Sequence, residues 1–348
     1  DPEGLTGAIE RTGADAQYLE YQEMLDKEQL DFVNVCPRWP DCHVEMVIAC
    51  AEAGVKGILC EKPFARTLAE ADSMLEACDR NGTRLAIAHR RVNAYEQHAK
   101  KLIDQGAIGD IKVLRGHDKA DSRAGAQLLI VLGAHIFDSM RWFAQSEVDW
   151  AYGHVTQDGR EVTKDDIREG DERVGLLAGN GIAAYYVFQN GITAHYESYP
   201  GNIFGKTGPI DRTRNERWFG FEIYGTDGII ALRDSPTGEM YMYPHDLWIP
   251  GEADGNWERI YLDEWERYPD GQFRSYADRM RLSNQMITRE LIEAVEEDRD
   301  VTKASSGRDA RAGLEMIMAV HESQRLKARI NFPMVNRGNP YESWGSEQ

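Results

Sequence analysis

No apolar run in this sequence approaches the roughly 18 residues that a membrane span requires, which argues against an integral helical membrane protein. No lysine- and arginine-rich block is present either. The 40 basic residues are outnumbered by 59 acidic ones, a formal net charge of −19, so nucleic acid or an anionic membrane would bind against the overall field and neither is expected as a partner. Cysteine is absent after residue 78, and Cys36, Cys42, Cys50, Cys60 and Cys78 form an odd set without CxxC spacing. They read as buried thiols of a reducing compartment, and a cytoplasmic location is expected. The chain opens Asp1-Pro2-Glu3 without an initiator methionine or an apolar leader, so no signal peptide is visible. No group of His, Cys, Asp and Glu has zinc spacing, so no metal is expected. No GxSxG elbow marks a serine hydrolase.

What is present suits a globular protein of two domains. The chain has 348 residues, 42% of them hydrophobic, with 8 Trp, 15 Tyr and 10 Phe, enough to build a substantial core. From Asp31 to about Arg115, short β-type runs (31–36, 56–60, 84–89) alternate with amphipathic stretches at 41–53 and 68–80. This alternation predicts parallel strands joined by crossover helices. Gly54 should close the first helix, Thr67 to Glu70 should cap the second and Asn81-Gly82 should end it.

After Gly106 the period changes to two. Residues 174–178, 182–189 and 192–199 are separated by Asn180-Gly181 and Asn190-Gly191, the strongest short hairpin signals, and predict an antiparallel meander. A further strand pair is expected at 219–224 and 228–233, and helices at 283–297 and 307–326. The segments 200–217 and 245–272 read as long loops, and the chain from Asn331 onward as an irregular tail. The sequence GNGIAA, Gly179 to Ala184, satisfies GxGxxA but should open a strand rather than a helix, which makes it a hairpin and not a nucleotide fingerprint.

In an open parallel sheet, ligands bind beyond the carboxyl ends of the strands. Cys36-Pro37 and then His43 follow the first strand, Glu61-Lys62-Pro63 the second, and His89-Arg90-Arg91 the third. These ionisable groups should face one crevice, where a lysine beside a carboxylate can position a hydroxyl group. A set of solvated loop charges would give the same pattern.

These segments, together with Ala53-Gly54, Gly106 to Gly109, the run Gly133-Ala-His135-Ile-Phe-Asp138, Glu222 to Gly228 and the helix carrying Glu315 and Ala319 to Ser323, resemble the Gfo/Idh/MocA family of nicotinamide-dependent oxidoreductases. The resemblance runs in order through nearly the whole chain. It implies an α/β protein with a Rossmann domain at 1–110 and a substrate-binding, oligomerising α+β domain at 111–348 built on a large open antiparallel sheet. It further implies NAD as cofactor, NADP less so, and a sugar, polyol or related hydroxy compound as substrate. Catalysis would rest on Lys62 and His135, with His135 taking the hydroxyl proton. Asp1, Cys36, Pro37, His43, Glu61, Lys62 and His89 would line the cofactor, with a cis Lys62-Pro63 bond.

Two departures from the family pattern stand out. The family's first strand and GxGxxG turn do not precede these strands, and Asp1 falls where the ribose-binding carboxylate ends the second strand; further residues upstream are expected. Many relatives also carry an aspartate four residues before the catalytic histidine, where this chain has Val131. His135 then needs a substitute partner such as Asp118 or Asp121, or keeps a basicity near that of free imidazole. Arg91 and Asp138 read as structural. The open sheet, through Tyr185, Tyr186, His195 and Tyr196, is the expected homo-oligomer interface. Two other functions remain open at this level: a redox-assisted sugar lyase or glycosidase that retains NAD, and a sensor that binds dinucleotide or sugar without turnover.

Overall fold

The protein is described by a computed structural model over residues 2–200, 219–233, 238–245 and 256–346. Asp1 lies outside the described residues, as do 201–217 of one expected loop and 246–255 of the other. After α1 (Pro2–Thr12) and α2 (Tyr21–Lys27), the chain alternates through β1 (Phe32–Val35), α3 (His43–Glu52), β2 (Gly57–Cys60), α4 (Leu68–Asn81) and β3 (Arg84–Ile87). The three strands are parallel, with Val33 opposite Ile58 and Ile58 opposite Leu85.

Local chemistry sets the helix ends. The Thr67 hydroxyl accepts from the Glu70 N–H at the start of α4, and Gly82 takes a left-handed φ of 68° after its end, a conformation that carries no side-chain penalty in glycine. Val47 and Ala51 of α3 and Ala71 and Met74 of α4 are buried in the core on this side of the sheet. The other face is covered from far along the sequence. Ile287, Leu291 and Ala294 of α8 (Tyr276–Glu296) form a separate cluster with Ala86 and Leu59. This helix starts seven residues before the expected position because Ser275 and Asp278 make a reciprocal capping box. Ser305–Ser306 adds a short antiparallel pairing to β3.

Among the described residues the second sheet has ten strands. Its centre is β4 (Ile111–His117), reached through α5 (Ala94–Asp104). From β4 the chain crosses α6 (Ala126–Val131) and α7 (Gly133–Ala144) to β5 (Val148–Gln157), then β6 (Gly181–Phe188) and β7 (Thr193–Ser198). On the other side lie β8 (Gly220–Gly225), β9 (Ile229–Arg233), β10 (Glu239–Tyr243) and β11 (Glu258–Ile260). The sheet is mixed rather than purely antiparallel, since β7 pairs with β4 in parallel. A helical crossover returns the chain in the direction of β4, and two antiparallel steps then bring β7 alongside it.

Several expectations need correcting. The Asn190-Gly191 hairpin forms between β6 and β7, but Asn180-Gly181 does not turn a hairpin. The partner of β6 on that side is β5, and 176–177 pairs instead with 168–169. Gly179 has φ +86°, and a Cβ there would lie 2.5 Å from Val155 Cγ1 and 2.8 Å from the Thr156 carbonyl; its glycine serves a close approach to β5. The expected 245–272 loop contains β11 and a helical turn at Asp263–Glu266. The tail is ordered as well: α9 (Gly307–Leu326) and α10 (Pro340–Ser346) meet through His321 and the buried Tyr341, whose hydroxyl lies 3.0 Å from His321 Nδ1. Cys36 is exposed and Cys42 half-buried, because both sit beyond the end of β1 and not in the core with the other three free thiols.

Helices α7 and α9 cover one face of the large sheet. Gly153 allows the contact, because a Cβ there would come within 2.7 Å of the Val320 Cα. Tyr186 and Tyr196 are fully buried on this covered side, where both rings pack around Phe137. They do not belong to the open face: with a two-residue period, their neighbours Tyr185 and His195 point the other way. Among the described residues no helix is long and apolar enough to cross a membrane.

Candidate active site

The carboxyl ends of β2 and β3 and the first turn of α7 bring together Lys62, His89 and His135. Lys62 follows β2 and precedes a cis peptide bond to Pro63. Its ammonium donates to the carbonyl of Val131 at 3.4 Å. Position 131 therefore contributes its main chain, not a side chain, to the site.

His89 leaves the end of β3 and is 3% exposed; His135 is 5% exposed. Their Nδ1 atoms are 3.2 Å apart, and the rings stand nearly perpendicular, 88° between planes with centroids 5.2 Å apart. Burial lowers the His135 imidazole well below its usual value, and Arg90, Lys62, His89 and Lys119 push in the same direction. Burial also lowers His89, to about 4, with Arg91 and Lys62 adding to the shift and Asp138 and Asp309 opposing it. Lys62 is lowered by burial and by Arg90 and Arg38, against Glu61 and Glu172. Both imidazoles are thus neutral at neutral pH, and the basicity of His135 does not stay near that of free imidazole.

Neither candidate carboxylate replaces the missing aspartate. Asp118 accepts from the Ala120 N–H at 2.8 Å and the Tyr196 hydroxyl at 3.3 Å; burial pushes its carboxyl up to about 7, against the hydrogen bonds from Ser198, Ala120 and Tyr196. Asp121 is engaged by Arg123 at 2.9 Å. Both anchor the 118–125 segment after β4.

The remaining predicted residues divide. Cys36 and Glu61 stand at the ends of β1 and β2, and Glu61 accepts from the Lys62 N–H at 3.2 Å. His43, read as a cofactor contact, is fully buried. Its Nε2 is 2.8 Å from the Pro37 carbonyl and its Nδ1 is 3.2 Å from that of Phe64. It clamps the turns after β1 and β2 together and leaves no ring nitrogen for a ligand. Pro37 takes part through this carbonyl.

Arg91 and Asp138 form a buried pair. Arg91 Nε donates to Asp138 Oδ2 at 2.9 Å, a second guanidinium nitrogen contacts Oδ1, and the Ser305 hydroxyl donates to Oδ1 at 2.7 Å. Burial raises the Asp138 carboxyl, but Arg91, His89 and Ser305 outweigh it and hold the group below its usual range. Asp138 lies one turn after His135, so this pair fastens α7 to the end of β3.

The sequence reading missed a strap at 171–173. Glu172 lies 3.3 Å from both Arg38 and Arg123, and Arg173 lies 3.1 Å from Asp41. It joins the turn after β1 to the segment after β4 beside the crevice. Nothing in local spacing marks it, since Arg173 and Asp41 are 132 residues apart.

Comparison with known proteins agrees with this architecture. The family profile described as "Oxidoreductase family, NAD-binding Rossmann fold" matches residues 4–89, and that described as "GFO/IDH/MocA C-terminal domain" matches 97–231. The chain is 28% identical to levoglucosan dehydrogenase from Pseudarthrobacter phenanthrenivorans over 69% of its own length and 65% of that protein's. It is 30% identical to myo-inositol 2-dehydrogenase from Thermotoga maritima over 67% of its own length and 69% of the relative's. The match to D-apiose dehydrogenase from Paraburkholderia graminis, 39% identical, spans 29% of that protein. In fold, the chain superimposes on an oxidoreductase domain protein from Kribbella flavida with TM-score 0.70 at 23% identity, covering 96% of this chain and 88% of the other. Levoglucosan dehydrogenase in complex with NADH and levoglucosan gives TM-score 0.69 at 21% identity over the same shares.

Proposed function

Because this chain belongs to the GFO/IDH/MocA family of oxidoreductases, we propose that it transfers hydride between a CH–OH carbon of a sugar, polyol or related hydroxy compound and NAD, with Lys62 and His135 at the reacting carbon. The observation that carries this reading is the convergence of Lys62 and His135, from β2 and α7, at the carboxyl end of the parallel sheet.

The donor set suits the nicotinamide end of a dinucleotide: Lys62 with Glu61 beside it, and two buried imidazoles next to them. When bound, the dinucleotide supplies the hydride acceptor. Lys62 hydrogen-bonds the substrate oxygen and favours its alkoxide character as the carbon–hydrogen bond breaks. His135 accepts the hydroxyl proton on Nε2, a nitrogen with no hydrogen bond among the described residues. His135 is buried and Lys62 half-buried, which limits water at the transfer. In this reading residues 1–110 form the dinucleotide domain and 111–348 the substrate domain, with α8 returning to the first sheet, and the protein works in the cytoplasm.

NAD is favoured over NADP because in sequence Asp1 falls where the family's ribose-binding carboxylate ends its second strand, and Pro2-Glu3-Gly4 contains no Lys or Arg for a 2′-phosphate. The test is a panel of anhydrosugars, inositols and aldoses, each with NAD and with NADP, followed by formation of reduced cofactor. Net reduction preferring NAD is expected. Cleavage without net reduction would point to a redox-assisted lyase, and binding without turnover to a sensor.

The homo-oligomer proposed here uses the open face of the large sheet. Support comes from a stripe of Trp150, Tyr185 and His195, with successive ring centroids 5.6 and 5.0 Å apart, flanked by the exposed Tyr152. A face this aromatic is suited to burial against a second copy. Light scattering should find an oligomer at micromolar concentration, and the Tyr152→Glu, Tyr185→Glu double variant should dissociate it; a monomeric parent protein would refute the proposal.

A further inference from the structure

We propose that His89 is the positioning residue for His135: its Nδ1 accepts the Nδ1–H of His135 and so holds the Nε2 lone pair of His135 ready for the substrate proton. The proposal rests on the hydride-transfer reading for its consequence, but the pairing itself can be tested without turnover.

The geometry admits few alternatives. Two nitrogens 3.2 Å apart share one proton, because a neutral imidazole has one donor and one acceptor nitrogen. If His135 is to accept a proton on Nε2, its own proton must lie on Nδ1, which makes His89 Nδ1 the acceptor and places the His89 proton on Nε2. In other enzymes a carboxylate commonly fixes the base's tautomer in this way. Here Val131 offers only a carbonyl, already taken by Lys62, while Asp118 and Asp121 are bound elsewhere.

The charged surroundings fit an acceptor of this kind. The groups acting most strongly on His135 are Lys62 from the turn after β2, His89 and Arg90 from the turn after β3, and Lys119 from the segment after β4. His89 is reached by Arg91 on its own turn, Lys62, Asp138 of α7 and Asp309 of α9. Asp138 is held by Arg91 and Ser305, so it steadies the pair without being the direct partner of His135. A neutral acceptor stabilises the imidazolium less than a carboxylate would. During oxidation the substrate's O–H bond breaks, its proton forms the Nε2–H bond of His135, and the Nδ1–H···Nδ1 contact persists, so His89 itself neither gains nor loses a proton.

The first experiment is proton-detected ¹⁵N NMR of the imidazoles in the full-length protein, free of substrate. His135 should be the Nδ1–H tautomer in the parent protein and should lose that constraint in His89→Phe. An Nε2–H His135 in the parent, or a tautomer unmoved in His89→Phe, overturns the pairing. The second is the pH profile of kcat/KM. His89→Phe should lose about 10- to 100-fold in kcat with KM little changed, and His89→Asn should recover part of it. His89→Asp should raise the acid limb by about 1 to 3 pH units, because a carboxylate now faces the imidazolium. An unmoved limb in a folded His89→Asp variant also refutes the assignment. If the parent protein turns over no substrate, the hydride-transfer reading fails, and the NMR arm still decides the pairing.

Discussion

Replacing His135 by alanine should lower kcat by about 10²-fold or more while dinucleotide affinity is largely kept, and Lys62→Ala should do the same. Both effects follow from groups whose contribution grows only as the hydroxyl proton departs. Steady-state kinetics on the true substrate, with cofactor binding followed separately by fluorescence, separates the two quantities. If His135→Ala turns over normally, His135 is a packing residue and Lys62 carries the proton chemistry; if both variants are normal, the site lies elsewhere. The pH profile has a defined sign. A base must be neutral to accept a proton, and burial together with Arg90, Lys62 and Lys119 lowers His135 well below 6.5. The acid limb of kcat/KM should therefore fall below that of free imidazole, and a limb at or above it would contradict the buried geometry.

The largest effect on stability is expected at the pair that fastens α7. Asp138→Ala leaves the Arg91 guanidinium buried beside Trp142 with its main carboxylate gone, and Asp309 at 3.3 Å compensates in part. Breaking a buried pair from one side costs about 3–5 kcal/mol, a large share of the stability of an ordinary domain. Asp138→Asn, which keeps an acceptor for Arg91, should cost less. Denaturant unfolding at neutral pH measures both, and a loss within experimental error for Asp138→Ala would show that Asp309 alone holds Arg91.

Acid should act on the parent protein in two stages. His89 and His321 sit at about 4 in the fold, both through burial, against 6.5 in the unfolded chain. The unfolded state therefore binds more protons, and stability declines as pH falls from about 6.5 toward 4. Asp138 is depressed in the fold, so its contribution is complete above its unfolded value of 3.8 and is lost as pH falls through its lower folded value. Asp138→Ala should shrink the second stage without abolishing it, because Glu222 and Glu290, both held down to about 2, lose their contributions in the same range.

Much of this was legible because it is local. The strands β1 to β3, the Thr67 cap and Gly82 stop of α4, and the strand pair around Gly225 follow from periodicity and turn chemistry within a few residues. The strand-end rule points to Lys62 and His89 from sequence alone. The position of His43 in sequence resembles that of a site residue, while its contacts with the Pro37 and Phe64 carbonyls depend on how two turns pack. Aromatic content alone places Tyr186 and Tyr196 on the open face with their neighbours, but strand alternation forces each adjacent pair to opposite sides. Asn180-Gly181 carried a strong hairpin signal that the pairing of β6 with β5 overrode.

By itself the sequence determined the class of fold, the run of parallel strands and the ionisable groups at their carboxyl ends, since these follow from short-range steric and hydrophobic patterns; His135 was marked only by the resemblance to the family, because a lone histidine in an apolar stretch carries no local signal of its own. Tertiary structure alone decided that α8 closes the first sheet, that the 171–173 strap reaches the turn after β1, and that His135 faces His89 rather than a carboxylate. Contacts between residues 46 to 132 positions apart depend on chain crossings and close packing, which no local period encodes. The altered basicity of the two histidines depends in turn on the burial and the charges that those crossings bring together.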